Sequence, residues 1–165
     1  MSPSAAVPAP RHAHSPRVWL GLVVFVAAVA VAALVGNLAA RGASTTYARL
    51  DLPAFAPPSW LFAPVWTVLY VVIAVAGWLV WRRVGVDAAV ALWVVQLVLN
   101  AAWTPLFFAA DLRWLAFAEI CLLWVAIVAT LSLFWPRHRP AALLLVPYLL
   151  WVTYAAALTL AIATG

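Results

Sequence analysis

Residues 52–81 read LPAFAPPSWLFAPVWTVLYVVIAVAGWLVW, an apolar stretch without a single charge, and its first part, PAFAPPSWLFAP, carries four prolines. A proline inside a helix removes a backbone donor and clashes with the preceding turn, at a cost of about 3 kcal/mol. A helix beginning at Pro58 would carry Pro64 in its second turn. A helix beginning near Pro64 places that residue where proline is welcome. Pro64 to Trp81 then covers about 27 Å at about 1.5 Å per residue, enough to cross the hydrocarbon of a bilayer. The residues before it are apolar but irregular, and irregular backbone cannot face lipid because its polar groups find no partners there. They must lie against protein. Two readings follow: a lid over an apolar cavity at the mouth of a helical bundle, or an interfacial loop with Trp60 and Phe62 resting among headgroups.

The rest of the chain is of the same kind. It is 69% hydrophobic and 8% charged, with a mean hydropathy of +1.12, where a soluble domain has roughly a quarter of its residues charged. Four more long apolar runs, Val18–Ala40, Ala88–Ala110, Trp114–Trp135 and Ala141–Gly165, make five spans. The fold expected is an all-α, five-helix transmembrane bundle over residues 18–165, with linkers too short for a soluble domain. Residues 1–17 are expected to be a disordered cytoplasmic tail, since four prolines there spoil an amphipathic targeting helix. The first run is longer than the apolar core of a signal peptide and is read as a span.

A sequence pI near 10.4 and a formal charge of +5 would suggest nucleic acid for a soluble protein. Here the arginines sit at span ends and in the tail, so they report topology and no nucleic-acid partner is expected. Arg11, Arg17, Arg82, Arg83, Arg137 and Arg139 fall on the side of the N-terminus, against Arg41, Arg49 and Arg113 on the other. The positive-inside rule puts the N-terminus in the cytoplasm and the C-terminus outside. A lysine-free composition rich in Ala, Val and Arg points to a GC-rich bacterial genome, hence a bacterial cell membrane. Cys121 is the only cysteine, which excludes an internal disulfide and a multi-cysteine metal site.

Eleven tryptophans are too many for an interfacial belt alone. Trp19, Trp60, Trp81, Trp114 and Trp135 lie near span ends, where amphipathic rings belong. Trp66, Trp78, Trp93, Trp103, Trp124 and Trp151 lie deeper, and each must place an indole donor away from water. Helical spacing groups Trp66 with Tyr70, Gln96 and Asn100 with Trp103 and Phe107, and Pro147 with Trp151 and Tyr154. Two amides on one face of a membrane helix point to the interior. They serve either as interhelical glue or as polar contacts at the edge of an aromatic small-molecule pocket. Ala28, Ala32 and Gly36 form a close-packing row for the bundle or for a dimer. Glu119 is the one acid within a run, positioned either to relay protons or to reach the headgroups from near Trp114.

Three motifs, PAFAPPSWLFAPVWTVLY, QLVLNAAWTPLFF and PYLLW, lie in that order on the second, third and fifth spans. They closely resemble the TspO/translocator protein family, also called tryptophan-rich sensory proteins or peripheral-type benzodiazepine receptors. The likeness covers residues 18–164. It implies a five-helix bundle, commonly a homodimer, with a pocket under the first loop that binds porphyrins or haem as ligands rather than as a required cofactor. Trp66 and Trp151 would line the porphyrin site, Pro57, Pro58, Trp60 and Phe62 would form the lid, and Gln96, Asn100, Trp103, Phe107 and Phe108 the far wall. With Tyr70, Pro147 and Tyr154 these make up the candidate ligand site. Thr46 stands where many members have tryptophan, and Thr159 where many have asparagine. No basic residue follows Arg139, which disfavours the sterol pattern of animal members.

The function expected is binding of tetrapyrroles for their transport, disposal or sensing. Light-dependent degradation of protoporphyrin, with Trp66 and Trp151 taking part, is an enzymatic alternative, and proton-coupled transport through Glu119 a third. No nucleophile is paired with a base, and no catalytic or metal-ligating set is expected. The only histidines, His12, His14 and His138, lie outside the spans. A tetrapyrrole would therefore be held by its faces, not by an iron ligand.

Overall fold

The computed structural model describes residues 16–50 and 52–165. The expected tail, with Arg11, His12 and His14, lies outside the described residues, apart from its last two positions. Among the described residues, five helical segments are long and apolar enough to cross a membrane: Arg17–Ala39, Ser59–Val84, Ala88–Ala109, Arg113–Arg137 and Arg139–Thr164. The first is α1 (Pro16–Ala39), followed by the short α2 (Ala43–Tyr47). A 3-10 turn, Ser59–Leu61, leads into α3 (Phe62–Val84), and α4 (Ala88–Thr104) continues as a π-turn through Pro105–Ala109. The fourth span is α5 (Arg113–Arg137), and the fifth is divided into α6 (Arg139–Leu144) and α7 (Val146–Thr164).

Three features of the helix limits have physical causes. Helix α3 begins at Phe62, two residues before Pro64. Pro64 is its third residue, and the first four backbone N–H groups of any helix lack an intrahelical acceptor, so nothing is lost there. In the third span the missing N–H of Pro105 is absorbed by a π-turn, in which the Ala110 N–H donates to the Pro105 carbonyl at 2.9 Å. In the fifth, Pro147 cannot donate one turn back, and the helix breaks at Leu145.

Helix α1 packs on α3 and α4, α4 on α5, α5 on α7, and α6 on α3. The spans therefore close in the order first, second, fifth, fourth, third. Their shared interior holds Ile73, Val80, Trp93, Leu123, Ile127, Phe134 and Tyr148. Leu20, Val24, Val68, Leu122 and Leu150 point outward and are exposed, as lipid-facing residues must be. The tightest seam lies at Gly77. A Cβ there would stand 2.6 Å from Trp93 Cε2 and 2.8 Å from Phe25 Cδ1. The missing side chain lets the Trp93 indole reach over α3 and donate to the Ile73 carbonyl at 3.0 Å. The small-residue row of α1 turns inward as well, with Ala32 buried and Gly36 beside Tyr70 and Thr104.

Candidate functional site

The tryptophans divide by what their indoles do. Trp19, Trp60, Trp114 and Trp135 are exposed at the helix ends, whereas Trp81 turns in over Gly21 and Phe25. Trp78 donates to the Val18 carbonyl at 3.0 Å and Trp124 to Thr153 Oγ1 at 2.8 Å, so both tie spans together. Trp103 and Trp151 are different. Their buried Nε1 donors have no hydrogen-bond partner among the described residues.

Between α1, α3 and α4, under α2 and the 3-10 turn, lies a cavity of about 760 Å³, within the range of about 300–1,000 Å³ that small-molecule sites occupy. Trp60 and Phe62 form its upper wall, Trp66 and Tyr70 the α3 wall, and Asn100 with Trp103 the α4 wall. Val29, Ala33 and Gly36 of α1 supply a smooth apolar side, and Asn37, Ser44 and Thr104 add polar atoms near the top. Trp66 leans on Tyr70, with ring centroids 5.3 Å apart. The polar floor is a short chain. The Tyr70 hydroxyl donates to Asn100 Oδ1 at 3.2 Å, and Asn100 Nδ2 donates to the Tyr148 hydroxyl at 3.1 Å.

Seven of the candidate residues, Trp60, Phe62, Trp66, Tyr70, Asn100, Trp103 and Phe108, thus meet around one cavity. Gln96, Phe107, Pro147, Trp151 and Tyr154 do not line it, nor do Pro57 and Pro58. Trp151 stands behind Phe62, at 5.9 Å between ring centroids, and Phe107 stacks on Trp103 at 5.0 Å. The π-turn after Pro105 brings Phe107 and Phe108 against Trp103, and Phe108 reaches the lining. Gln96 is 1% exposed and neither amide atom has a partner among the described residues. Thr159 is buried and donates to its own helix at the Ala155 carbonyl. Glu119 is buried with both oxygens unpartnered among the described residues.

The connector is held from two sides. Tyr47 of α2 donates to the Pro57 carbonyl at 3.0 Å, and Tyr154 of α7 to the Phe55 carbonyl at 2.8 Å. Tyr47 also packs edge-on against Phe62. Burial, and next to it the Tyr154 hydroxyl, raises the pKa of the Tyr47 phenol, so it keeps its proton as a donor.

Sequence comparison assigns the region of the five spans to a family. The TspO/MBR family model matches residues 22–164. The chain belongs to the TspO/MBR family. It is 40% identical over 126 residues to the tryptophan-rich protein TspO of Chlorobaculum tepidum, covering 74% of this chain and 80% of that one. The archaeal TspO of Archaeoglobus fulgidus is 36% identical over 146 residues, 87% and 95% of the two chains. The human translocator protein is 35% identical over 147 residues, covering 85% and 86%. Membership makes this an integral membrane protein. Within the TspO/MBR chain, Tyr148 and Tyr47 are the residues that sequence reasoning passed over. Tyr148 lies inside the PYLLW motif, three residues before Trp151, and its spacing would have signalled it.

Proposed function

We propose that the protein binds a tetrapyrrole in the cavity beneath Trp60 and Phe62, for transport, disposal or sensing of that ligand. The observation that carries this reading is the cavity wall: two indoles, Trp66 and Trp103, beside the Tyr70–Asn100 hydrogen bond. Flat aromatic faces bury a macrocycle, and a few fixed polar groups orient it. Asn37 and Ser44 are placed to meet polar edges, and Arg41 and Arg49 bracket α2 in the sequence for propionates. No metal is needed for such binding. His138 lies at the opposite end of the bundle, and among the described residues no three His, Cys, Asp or Glu cluster as a metal site.

Protoporphyrin titrated into the purified protein should quench tryptophan fluorescence saturably, and Trp66→Phe with Trp103→Phe should weaken binding about tenfold. Unchanged affinity in the double variant would refute the site. Haem should bind within about tenfold of the metal-free ring, and alanine at His12, His14 and His138 should change neither. Repeating the titration in light and dark distinguishes binding from photochemical degradation, which would consume the Soret band only under illumination. Glu119, buried and without a partner among the described residues, supports a second reading, proton-coupled movement. Glu119→Gln would then abolish a pH-gradient-driven flux while leaving protoporphyrin quenching intact. We further propose a bacterial cell membrane with the N-terminus cytoplasmic. A reporter active only in the periplasm and fused after Gly165 should be active.

A further inference from the structure

The last turn of α3 and the break between α5 and α6 enclose a second concavity, of about 340 Å³, walled by Leu79, Arg82, Arg83 and His138. It lies at the end of the bundle away from the aromatic cavity. The acids of the chain number four, and those described are committed elsewhere. Asp87 is bound by Arg137 at 2.7 Å, Asp111 pairs with Arg113 at the far end, and Glu119 is buried within α5. Among the described residues neither Arg82 nor Arg83 has a carboxylate within ion-pair distance.

The donors are also arranged in advance. The Arg82 guanidinium lies over the Trp78 ring, 4.6 Å from its centroid, and the hydrogen bond from Trp78 to Val18 fixes that ring in turn. His138 Nδ1 accepts the Ala141 N–H at 3.1 Å. The proton of a neutral ring is therefore on Nε2, which is left as a donor. Leu79, one turn before Arg83, supplies an apolar wall on the membrane side. Guanidiniums match phosphate oxygens in a fork, and helix ends of a spanning bundle lie at the level of lipid headgroups.

We infer that Arg82, Arg83 and His138 form a phosphate site for the headgroup of an anionic phospholipid, with Leu79 against its glycerol or first acyl carbons. This inference is independent of the tetrapyrrole reading. Phosphatidylglycerol titrated into the full chain in detergent and followed by native mass spectrometry should give one tight adduct that phosphatidylcholine does not give. Arg82→Gln with Arg83→Gln should weaken it about thirtyfold, at about 1 kcal/mol per arginine. Arg82→Lys with Arg83→Lys keeps the charge but not the fork and should recover only part of the affinity. His138→Ala should cost less, and Arg113→Gln, at the other end, nothing. Free glycerol 3-phosphate at the same concentration should not displace the lipid.

Undiminished binding in the glutamine pair overturns the site. Full affinity in the lysine pair, or an equal loss in Arg113→Gln, overturns it in favour of unspecific charge attraction. Displacement by glycerol 3-phosphate overturns the lipid as the source and assigns the site to a soluble phosphate. Melting curves identify a glutamine pair that fails to fold, in which case the lysine pair and His138→Ala decide the question.

Discussion

The two ends of the bundle are built from different materials. At the end carrying Asp87 and Arg137 the connections are short, and polar bonds close them. Asp87 caps α4 by accepting the N–H groups of Ala89 and Val90 while binding Arg137 of α5. At the other end one connection is short and carries the Asp111–Arg113 pair, while the one between α1 and α3 is long and, from Leu52 on, apolar. Phe62, Trp103, Phe107, Phe108 and Leu158 pack together there under Leu50 and Ala56 of the connector. A charged clamp has one geometry and little tolerance for displacement. The cavity lies at the aromatic end, where ring contacts and not an ion clamp join the helices.

Disrupting what both ends share should erase the distinction. Gly77→Val puts branched carbon where Trp93 and Phe25 already stand. Trp93 must then leave the Ile73 carbonyl or α3 must move away from α4. Overpacking of this kind costs about 3 kcal/mol. Thermal unfolding in detergent should show the largest loss of all the variants considered, and protoporphyrin binding should fall with it. A melting temperature within a few degrees of the parent would mean that the seam is loose.

Asp87→Ala tests the rigid end alone. It removes an N-cap, worth about 1 kcal/mol, and an ion pair of up to about 1 kcal/mol. The expected loss is about 2 kcal/mol of stability, with protoporphyrin affinity unchanged. The pH dependence has a definite sign. Burial opposes ionisation of Asp87, but bonds from Val90 N–H, Arg137 and Ala89 N–H, with the Arg137 charge, outweigh it and hold the carboxyl below its ordinary range. A carboxyl depressed in the folded state contributes stability that is complete above the unfolded value and disappears as pH falls through the folded one. The parent should therefore lose stability on acidification below the ordinary carboxylate range. The Asp87→Ala variant should show a shallower decline.

The comparison also accounts for what the sequence could reveal. Five spans were legible because each is a long apolar run, and helix faces were legible because spacing is local. Gln96 and Asn100 share a face by that logic. Spacing gives direction and not partners: Asn100 joins Tyr70 and Tyr148 on two other spans, while Gln96 lies off the cavity. The π-turn at Pro105 and the break at Leu145 depend on which backbone distortion the neighbouring helices accept, and this is a tertiary matter. The motifs located the loop and several cavity residues together, but only the packing separates Trp66 from Trp151, with Phe62 standing between Trp151 and the cavity.

The smallest effect should come from the connector itself. Tyr47→Phe and Tyr154→Phe each delete one hydroxyl that holds a loop carbonyl, at Pro57 and Phe55 respectively, and leave the rings and their contacts in place. A neutral hydrogen bond contributes about 1 kcal/mol. Each variant should therefore lose stability near the limit of detection. Their effect belongs in kinetics, because a connector freed at one or both sites opens more often while every ring of the cavity wall, that of Tyr47 included, stays in place. Stopped-flow quenching with protoporphyrin should show dissociation about fivefold faster in each single variant, and faster still in the double. Association should rise with it, so that equilibrium affinity changes less than either rate. If the double variant releases ligand at the parent rate, the connector does not gate the cavity, and the two tyrosines merely anchor a loop that the ligand does not have to pass.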